Sequence, residues 1–196
     1  MGLDFAVNEH VLIPRFDTEI LVEEVMKFLH DGFSVLDMCT GSGCILLSLL
    51  KYSNNCKGLG VDISSDALLV ANTNKEKLGI EASFIESNLF EQVTGKYDII
   101  VSNPPYIRSD VIPTLMEEVR EHEPILALDG TEDGLFFYRK IVEESPDYLN
   151  GGGMLFFFFF YDQAEDVSRL MEEAGYKDVT VVKDFAGLDR VVYGRR

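Results

Sequence analysis

The chain has 196 residues, 46% of them hydrophobic, with a formal net charge of −17 from 34 acidic and 17 basic side chains. That is enough for one domain with a sizeable core. The charge argues against a dedicated DNA or RNA binder, which needs a basic face for the phosphate backbone. No apolar run approaches the ~20 residues of a membrane helix, and Met1-Gly2-Leu3-Asp4-Phe5 lacks the basic and apolar regions of a secretory signal.

The elements alternate between strand and helix, without repeats or low-complexity linkers. Asp17 is an N-cap candidate for a helix near Thr18 to Leu29, with Leu21, Val25, Phe28 and Leu29 as its apolar stripe. Ser34 to Met38 reads as the first strand, followed by a Gly-rich turn and a helix near Cys44 to Lys51. Gly58 to Val61 reads as a second strand ending in Asp62. Ser64 or Ser65 then caps a helix reaching Lys77 and stopped by Gly79. Ala82 to Ile85 and Tyr97 to Ser102 read as the third and fourth strands. Helices are expected near Asp110 to Glu121, Gly134 to Glu144 and Gln163 to Ala174, with a fifth strand over Gly153 to Phe160. Val179 to Lys183 and Arg190 to Tyr193, joined by Phe185-Ala186-Gly187-Leu188, form a closing antiparallel hairpin. The fold class is α/β: a seven-stranded, mostly parallel sheet with helices on both faces, one domain across residues 1–196.

Asn103-Pro104-Pro105-Tyr106 is the segment that most narrows the chemistry. Two consecutive prolines can neither extend a ladder nor start a regular helix, so the chain is held open in a stiff turn. The turn lies at the carboxyl end of a strand, where open α/β sheets place their ligands. An amide side chain, fixed carbonyls and an aromatic ring at one strand tip can grip a planar amide or amino group.

The Gly-rich turn is Asp37-Met38-Cys39-Thr40-Gly41-Ser42-Gly43. Its glycines let a ligand approach the backbone, and the helix behind presents free N–H groups. A dinucleotide fingerprint needs a third glycine where this chain has Leu46. An acidic residue ahead of G-x-G instead suits a nucleoside carrying an amino-acid tail. Asp62, 19 residues beyond Gly43, stands at the next strand tip, where a carboxylate can accept both ribose hydroxyls. The bland alternative is a tight strand–helix turn with an acidic cap.

Together these segments resemble a known family. VLDMCTGSGCI (Val35 to Ile45), SNPPYI (Ser102 to Ile107) and LIPRFDTE (Leu12 to Glu19) look like the protein-(glutamine-N5) methyltransferases that modify peptide-chain release factors. EPILALDGTEDG (Glu123 to Gly134) and AGLDRVVYG (Ala186 to Gly194) fit the same pattern. The resemblance implies a class I, Rossmann-like fold that binds S-adenosylmethionine and releases S-adenosylhomocysteine. It also implies methyl transfer to the glutamine side-chain amide of a release factor's Gly-Gly-Gln loop. Carried onto this chain, Cys39, Thr40, Gly41, Ser42 and Gly43 would surround the methionine part and Asp37 would face its amino group. Asp62 and Ile63 would hold the ribose, while Asn88 and Leu89 would meet the adenine. Asn103 and the Pro104 carbonyl would accept the two amide N–H bonds, with Pro105 and Tyr106 beside the amide plane. Asn103 would also border the cofactor. Arg15 would shape the substrate side of the pocket, although Arg15 with Glu19 could equally be an ion pair at the helix start.

Three departures stand out. Phe16 occupies a position where the family usually has a second proline, and Asn88 one where many relatives have Asp. The family's helical N-terminal domain is not represented ahead of Leu12, so a weaker grip on protein substrate is expected. Phe156 to Phe160 is a run of five phenylalanines where relatives carry a Glu-Ile-Gly-like step, and such a run is an aggregation hazard if exposed.

No metal site is expected. Cys39, Cys44 and Cys56 lack ligand spacing and read as free thiols of a reducing, cytoplasmic compartment. Glu117, Glu118, Glu121 and Glu123 fit a solvated helix face, and His10, His30 and His122 are scattered, with no catalytic role. Competing readings are a ribosomal-protein glutamine methyltransferase and an adenine-N6 methyltransferase, which uses a similar Pro-Pro turn. A third is a non-catalytic scaffold that binds S-adenosylmethionine.

Overall fold

The structure is a computed structural model describing residues 1–196. Seven helices, α1 (Thr18–Met26), α2 (Cys44–Tyr52), α3 (Ser65–Leu78), α4 (Glu117–His122), α5 (Ile125–Leu128), α6 (Phe136–Glu144) and α7 (Ala164–Glu173), pack around one sheet. Its strands are β1 (Ser34–Met38), β2 (Lys57–Asp62), β3 (Ser83–Glu86), β4 (Tyr97–Ser102), β5 (Leu149–Phe158), β6 (Lys177–Lys183) and β7 (Asp189–Arg195). They lie in the order β3-β2-β1-β4-β5-β7-β6. β7 runs antiparallel to both neighbours and the other pairs are parallel, as the expected sheet with a closing hairpin requires.

Both faces of the central strands are buried, so they read as continuous apolar runs, and alternation decides only which layer each residue joins. Val35, Ile99, Val101, Phe156 and Phe158 face α1 and α2. Leu36, Ile100, Leu155, Phe157 and Phe159 join Tyr138 and Ile141 of α6 and Val167 and Met171 of α7. The phenylalanine run is thereby explained. Phe156 to Phe159 alternate between the two layers at 4% exposure or less, and only Phe160, beyond the strand, is 41% exposed.

Helix ends follow local chemistry where the expected residues could act. Ser64 Oγ accepts from the Ala67 N–H at 3.2 Å, and Gly79 closes α3 at φ 62°. Asp17 does not cap α1. Its backbone is already helical, with φ −62° and ψ −26°, and its side chain makes no capping bond. The helix expected near Asp110 to Glu121 is broken. A 3-10 turn over Ile112–Thr114 contains Pro113, Leu115 is extended at ψ 157°, and α4 begins only at Glu117. β5 starts earlier than expected, at Leu149, with a register shift against β4 that absorbs the glycines at 151–153.

Candidate active site

The strand order reverses between β1 and β4, and the crevice outside their carboxyl ends is where such sheets bind ligands. Register places Met38 opposite Ser102, so Cys39 and Asn103 leave the sheet side by side. Ser102 Oγ donates to the Met38 carbonyl at 2.7 Å and pins the two tips together.

A cavity of about 320 Å³ opens there, within the range of small-molecule sites. Cys39, Thr40, Gly41 and Ser42 form one wall, Asp62 and Ile63 the next, Asn88 and Leu89 a third, and Asn103 with Pro105 the end nearest β4. His10, Val11, Leu12 and Pro14, from the segment before α1, also line it, and Leu126, Phe136 and Phe137 add apolar surface. Two non-glycine residues of these walls hold left-handed backbone, Cys39 at φ 60° and Leu89 at φ 48°. Such strain persists only where surroundings over-determine it, and it concentrates at binding sites.

Asp37 is fully buried behind the turn and does not itself line the cavity. Its Oδ2 accepts from the Thr40 hydroxyl at 2.6 Å and from the Leu46 N–H, at the start of α2, at 3.3 Å. Its Oδ1 is buried without a partner in the protein. Burial dominates its titration and raises the carboxyl to about 7, against the lowering effect of those two bonds. Asp62 spreads one N–H over each oxygen, Gly41 on Oδ2 at 2.8 Å and Ser64 on Oδ1 at 3.0 Å. Each oxygen retains acceptor capacity. Burial raises this carboxyl too.

Asn103 Oδ1 is likewise buried and unpartnered. The turn behind it is tightly buttressed. A Cβ on Gly130 would fall 2.7 Å from Tyr106 Cα, and one on Gly134 2.5 Å from the Tyr106 carbonyl oxygen. The side chain of Gln163 donates to the carbonyls of Tyr106 (3.1 Å) and Gly134 (3.2 Å) and accepts from the Phe160 N–H (3.2 Å). The Tyr106 ring stacks against Phe160 with centroids 6.2 Å apart.

Not every expected residue borders the cavity. Gly43 lies behind it, where a Cβ would meet Phe84 at 3.0 Å, so it serves packing between α2 and β3. Pro104 and Tyr106 lie behind Asn103 and Pro105 rather than in the cofactor-sized space. The Asn88 amide donates one N–H to Glu91 at 2.8 Å, leaving its second N–H and its carbonyl for a ligand. Arg15 pairs with Glu123 rather than with Glu19, joining the segment before α1 to the end of α4 beside an adjoining smaller cavity. Glu123 is therefore not on a solvated face. It is 5% exposed, and its Oε2 has no partner. No group of three His, Cys, Asp or Glu side chains is gathered as a metal would need, and no helix is long and apolar enough to cross a membrane.

Sequence reading did not single out Gln163, Asn74 or the close approach at Gly130. For the glycines, the local signal is the pairs Asp129-Gly130 and Asp133-Gly134, which by themselves mark turns. Asp129 does support that reading, since its carboxylate accepts from the Thr131 N–H at 2.8 Å.

Residues 15–131 match the Methyltransferase small domain family. The chain is 46% identical over 203 aligned positions to the release factor glutamine methyltransferase of Clostridium acetobutylicum, covering 100% of this chain and 71% of that protein. It is 43% identical to the enzyme of the same name from Agrobacterium fabrum, covering 100% of this chain and 70% of that protein. This chain belongs to the release factor glutamine methyltransferase family. Among solved structures it is similar to the release factor-specific protein-(glutamine-N5) methyltransferase of Alicyclobacillus acidocaldarius, at 31% identity and TM-score 0.58, covering 98% of this chain and 99% of that one. A methyltransferase from Pyrococcus furiosus, at 21% identity and TM-score 0.74 over 99% of this chain and 89% of its own, shares the class I methyltransferase fold.

Proposed function

We propose that this chain transfers a methyl group from S-adenosylmethionine to the side-chain amide nitrogen of the glutamine in a release factor's Gly-Gly-Gln loop. The observation that carries this reading is a pair of unpartnered buried oxygens, Asp37 Oδ1 and Asn103 Oδ1. They belong to β1 and to the residue just beyond β4, two paired strands at the switch point; Asn103 lines the cavity, and Asp37 is buried behind its Gly-rich turn. A buried acceptor left without a donor costs about 1–3 kcal/mol, more when charged, so each is suited to a donor arriving with a ligand.

The residues fit the cofactor. Asp37, behind the Gly-rich turn, would meet the ammonium of the methionine tail directly or through water, with Cys39, Thr40, Gly41 and Ser42 around that tail. Asp62 has acceptor capacity for both ribose hydroxyls, Ile63 presents an exposed apolar side chain beside it, and Asn88 with Leu89 borders the adenine. Bound there, S-adenosylmethionine supplies a methyl group on a positively charged sulfur.

The amide nitrogen is a weak nucleophile because its lone pair is delocalised into the carbonyl. Asn103 Oδ1 and the Pro104 carbonyl accept its two N–H bonds. That fixes the amide plane and favours pyramidalisation toward the methyl carbon. Pro105 and Tyr106 hold the turn and flank the amide, and Arg15, ordered by Glu123, edges the substrate side. Alignment of this kind supplies about 7–11 kcal/mol of barrier reduction. The nitrogen needs no base beforehand, since its proton becomes acidic only once the new N–C bond has formed. No basic recognition face accompanies the turn at a net charge of −17, which favours a protein over a nucleic-acid substrate.

The test is incubation with labelled S-adenosylmethionine and a release factor, beside a Gln→Ala variant of its Gly-Gly-Gln loop. Mass spectrometry should find one methyl on that glutamine and none on the variant. Methylation of the variant, or of nucleic acid instead, would refute the reading.

A further inference from the structure

We infer that Asn74 is a positioning residue for cofactor binding. Its amide fastens residues 6–14 as a strap over the cavity and in the same stroke sets the Gly-rich turn. The inference rests on the reading of this cavity as the cofactor site.

Asn74 lies in the third turn of α3 and is fully buried. Its Oδ1 accepts from the Ala6 N–H at 2.6 Å, and its Nδ2 donates to the carbonyls of Ala6 at 3.0 Å and Ser42 at 2.9 Å. Asparagine is a poor choice for a helix interior, and burying its amide costs unless bonds compensate. Three of its four hydrogen-bonding positions are filled here. None of the partners belongs to α3. One is the Gly-rich turn and two are the strap.

The longer segment is tied at its two ends, Met1 to Glu19 and Tyr52 and Arg15 to Glu123, and the strap between them has few other holds. Residues 1–17 contain no helix or strand. Their internal backbone bonding is one long turn, Val11 N–H to the Asn8 carbonyl at 3.3 Å. The second anchor is Val11, 1% exposed, wedged against Ala67 and Val70, also of α3. Between and just beyond these anchors lie residues that line the cavity, His10, Leu12 and Pro14. A ligand in that cavity thus meets a segment joined to α3 at these two anchors, one of which also holds Ser42 of the Gly-rich wall. Segments of this kind open locally at little cost. Releasing the Asn74 anchor should therefore hasten cofactor escape without touching the groups around the reacting nitrogen.

The test compares wild-type, Asn74→Ala and Ala6→Pro proteins, the last lacking the N–H that Asn74 Oδ1 accepts. S-adenosylhomocysteine affinity is measured by calorimetry and its dissociation by stopped flow. KM and kcat are measured with a release factor as methyl acceptor. Loss of three hydrogen bonds in Asn74→Ala should raise Kd and KM for the cofactor about ten- to a hundredfold, and loss of the single Ala6 N–H bond in Ala6→Pro about three- to tenfold. Faster dissociation should carry most of that change, with kcat at saturating cofactor within about threefold. Hydrogen exchange of residues 6–14 should slow on ligand binding in the wild type and much less in Asn74→Ala. Should Asn74→Ala fail to fold, Ala6→Pro is judged by the same measurements against its own range of about three- to tenfold. Wild-type affinity in the variants, or a loss of kcat with KM unchanged, overturns the role given to Asn74. A wild-type protein that binds no S-adenosylhomocysteine overturns the cofactor reading itself.

Discussion

Asp37 makes the cofactor reading testable by pH alone. Burial lifts its carboxyl from 3.8 to about 7, so without ligand the group is only partly ionised near neutrality. On the proposed reading, the cofactor's ammonium near Oδ1 would select the ionised form. With a value near 7, the ionised fraction is roughly one-eleventh at pH 6 and ten-elevenths at pH 8. Affinity for S-adenosylhomocysteine should therefore rise about tenfold over that interval. Asp62, also raised by burial, pushes in the same direction. Other groups of the cavity titrate as well, so the decisive quantity is the difference between wild type and Asp37→Asn, measured by calorimetry at pH 6, 7 and 8. The variant should bind weakly and lose most of the slope. Stability without ligand has the opposite sign. A carboxyl raised in the folded state holds its proton longer than the unfolded chain does. The wild type therefore loses stability as pH rises from about 4 through 7. A shift from 3.8 to about 7 corresponds to at most about 4 kcal/mol. Asp37→Asn should gain on the wild type in urea unfolding between pH 5 and pH 8. Affinity independent of pH, or a stability difference that does not grow with pH, would refute the assignment.

Asn103→Ala should lower kcat about a hundred- to thousandfold, the scale for losing one polar contact to a reacting group, while S-adenosylhomocysteine affinity changes less than about threefold. Equal losses in both would mean that Asn103 serves the cofactor and not the amide. Gly60→Ala should destabilise by about 1–3 kcal/mol in urea unfolding. Its Cβ would stand 2.5 Å from the Phe84 ring and 2.9 Å from Thr40 Oγ1, and the Thr40 contact should also weaken cofactor binding. Phe157→Ala should cost about 3–5 kcal/mol, because that ring is fully buried and meets Tyr138 edge-on at 5.1 Å. A cost below 1 kcal/mol would place the phenylalanine run outside the core.

The parts of the fold legible in sequence are those whose signal is local. β1 and β4 were bounded to the residue because each is an apolar run ended by a turn with its own chemistry. α3 was legible through its serine cap and its glycine stop. The candidate site was legible for the same reason: the Gly-rich turn, Asp62 and the Pro-Pro turn are features at the ends of adjacent parallel strands and so meet at one crevice, with Asp37 buried behind the first of them. Where the signal was ambiguous, tertiary packing decided. Asp17 has the right residue type for a cap, but it sits in helical backbone and its carboxylate faces Arg190 at 3.7 Å instead. The acidic stretch through Glu123 has the composition of a solvated face, yet Glu123 turns inward to Arg15 from 108 positions earlier in the chain.

That case shows why the outer structure of the site could not be read. Asn74, Gln163 and Glu123 are residue types that most often lie in solvent, and nothing beside them in the chain marks these three as buried. Each acts on groups far away in sequence: Asn74 on Ala6 and Ser42, Gln163 on Tyr106, Glu123 on Arg15. A buried polar side chain must find partners to offset its desolvation. Here the partners are backbone groups or side chains of the very segments that border the cavity. Desolvation therefore couples the position of the walls to the integrity of the core. Single substitutions at these three positions should disturb ligand binding more than their distance from the reacting nitrogen would suggest.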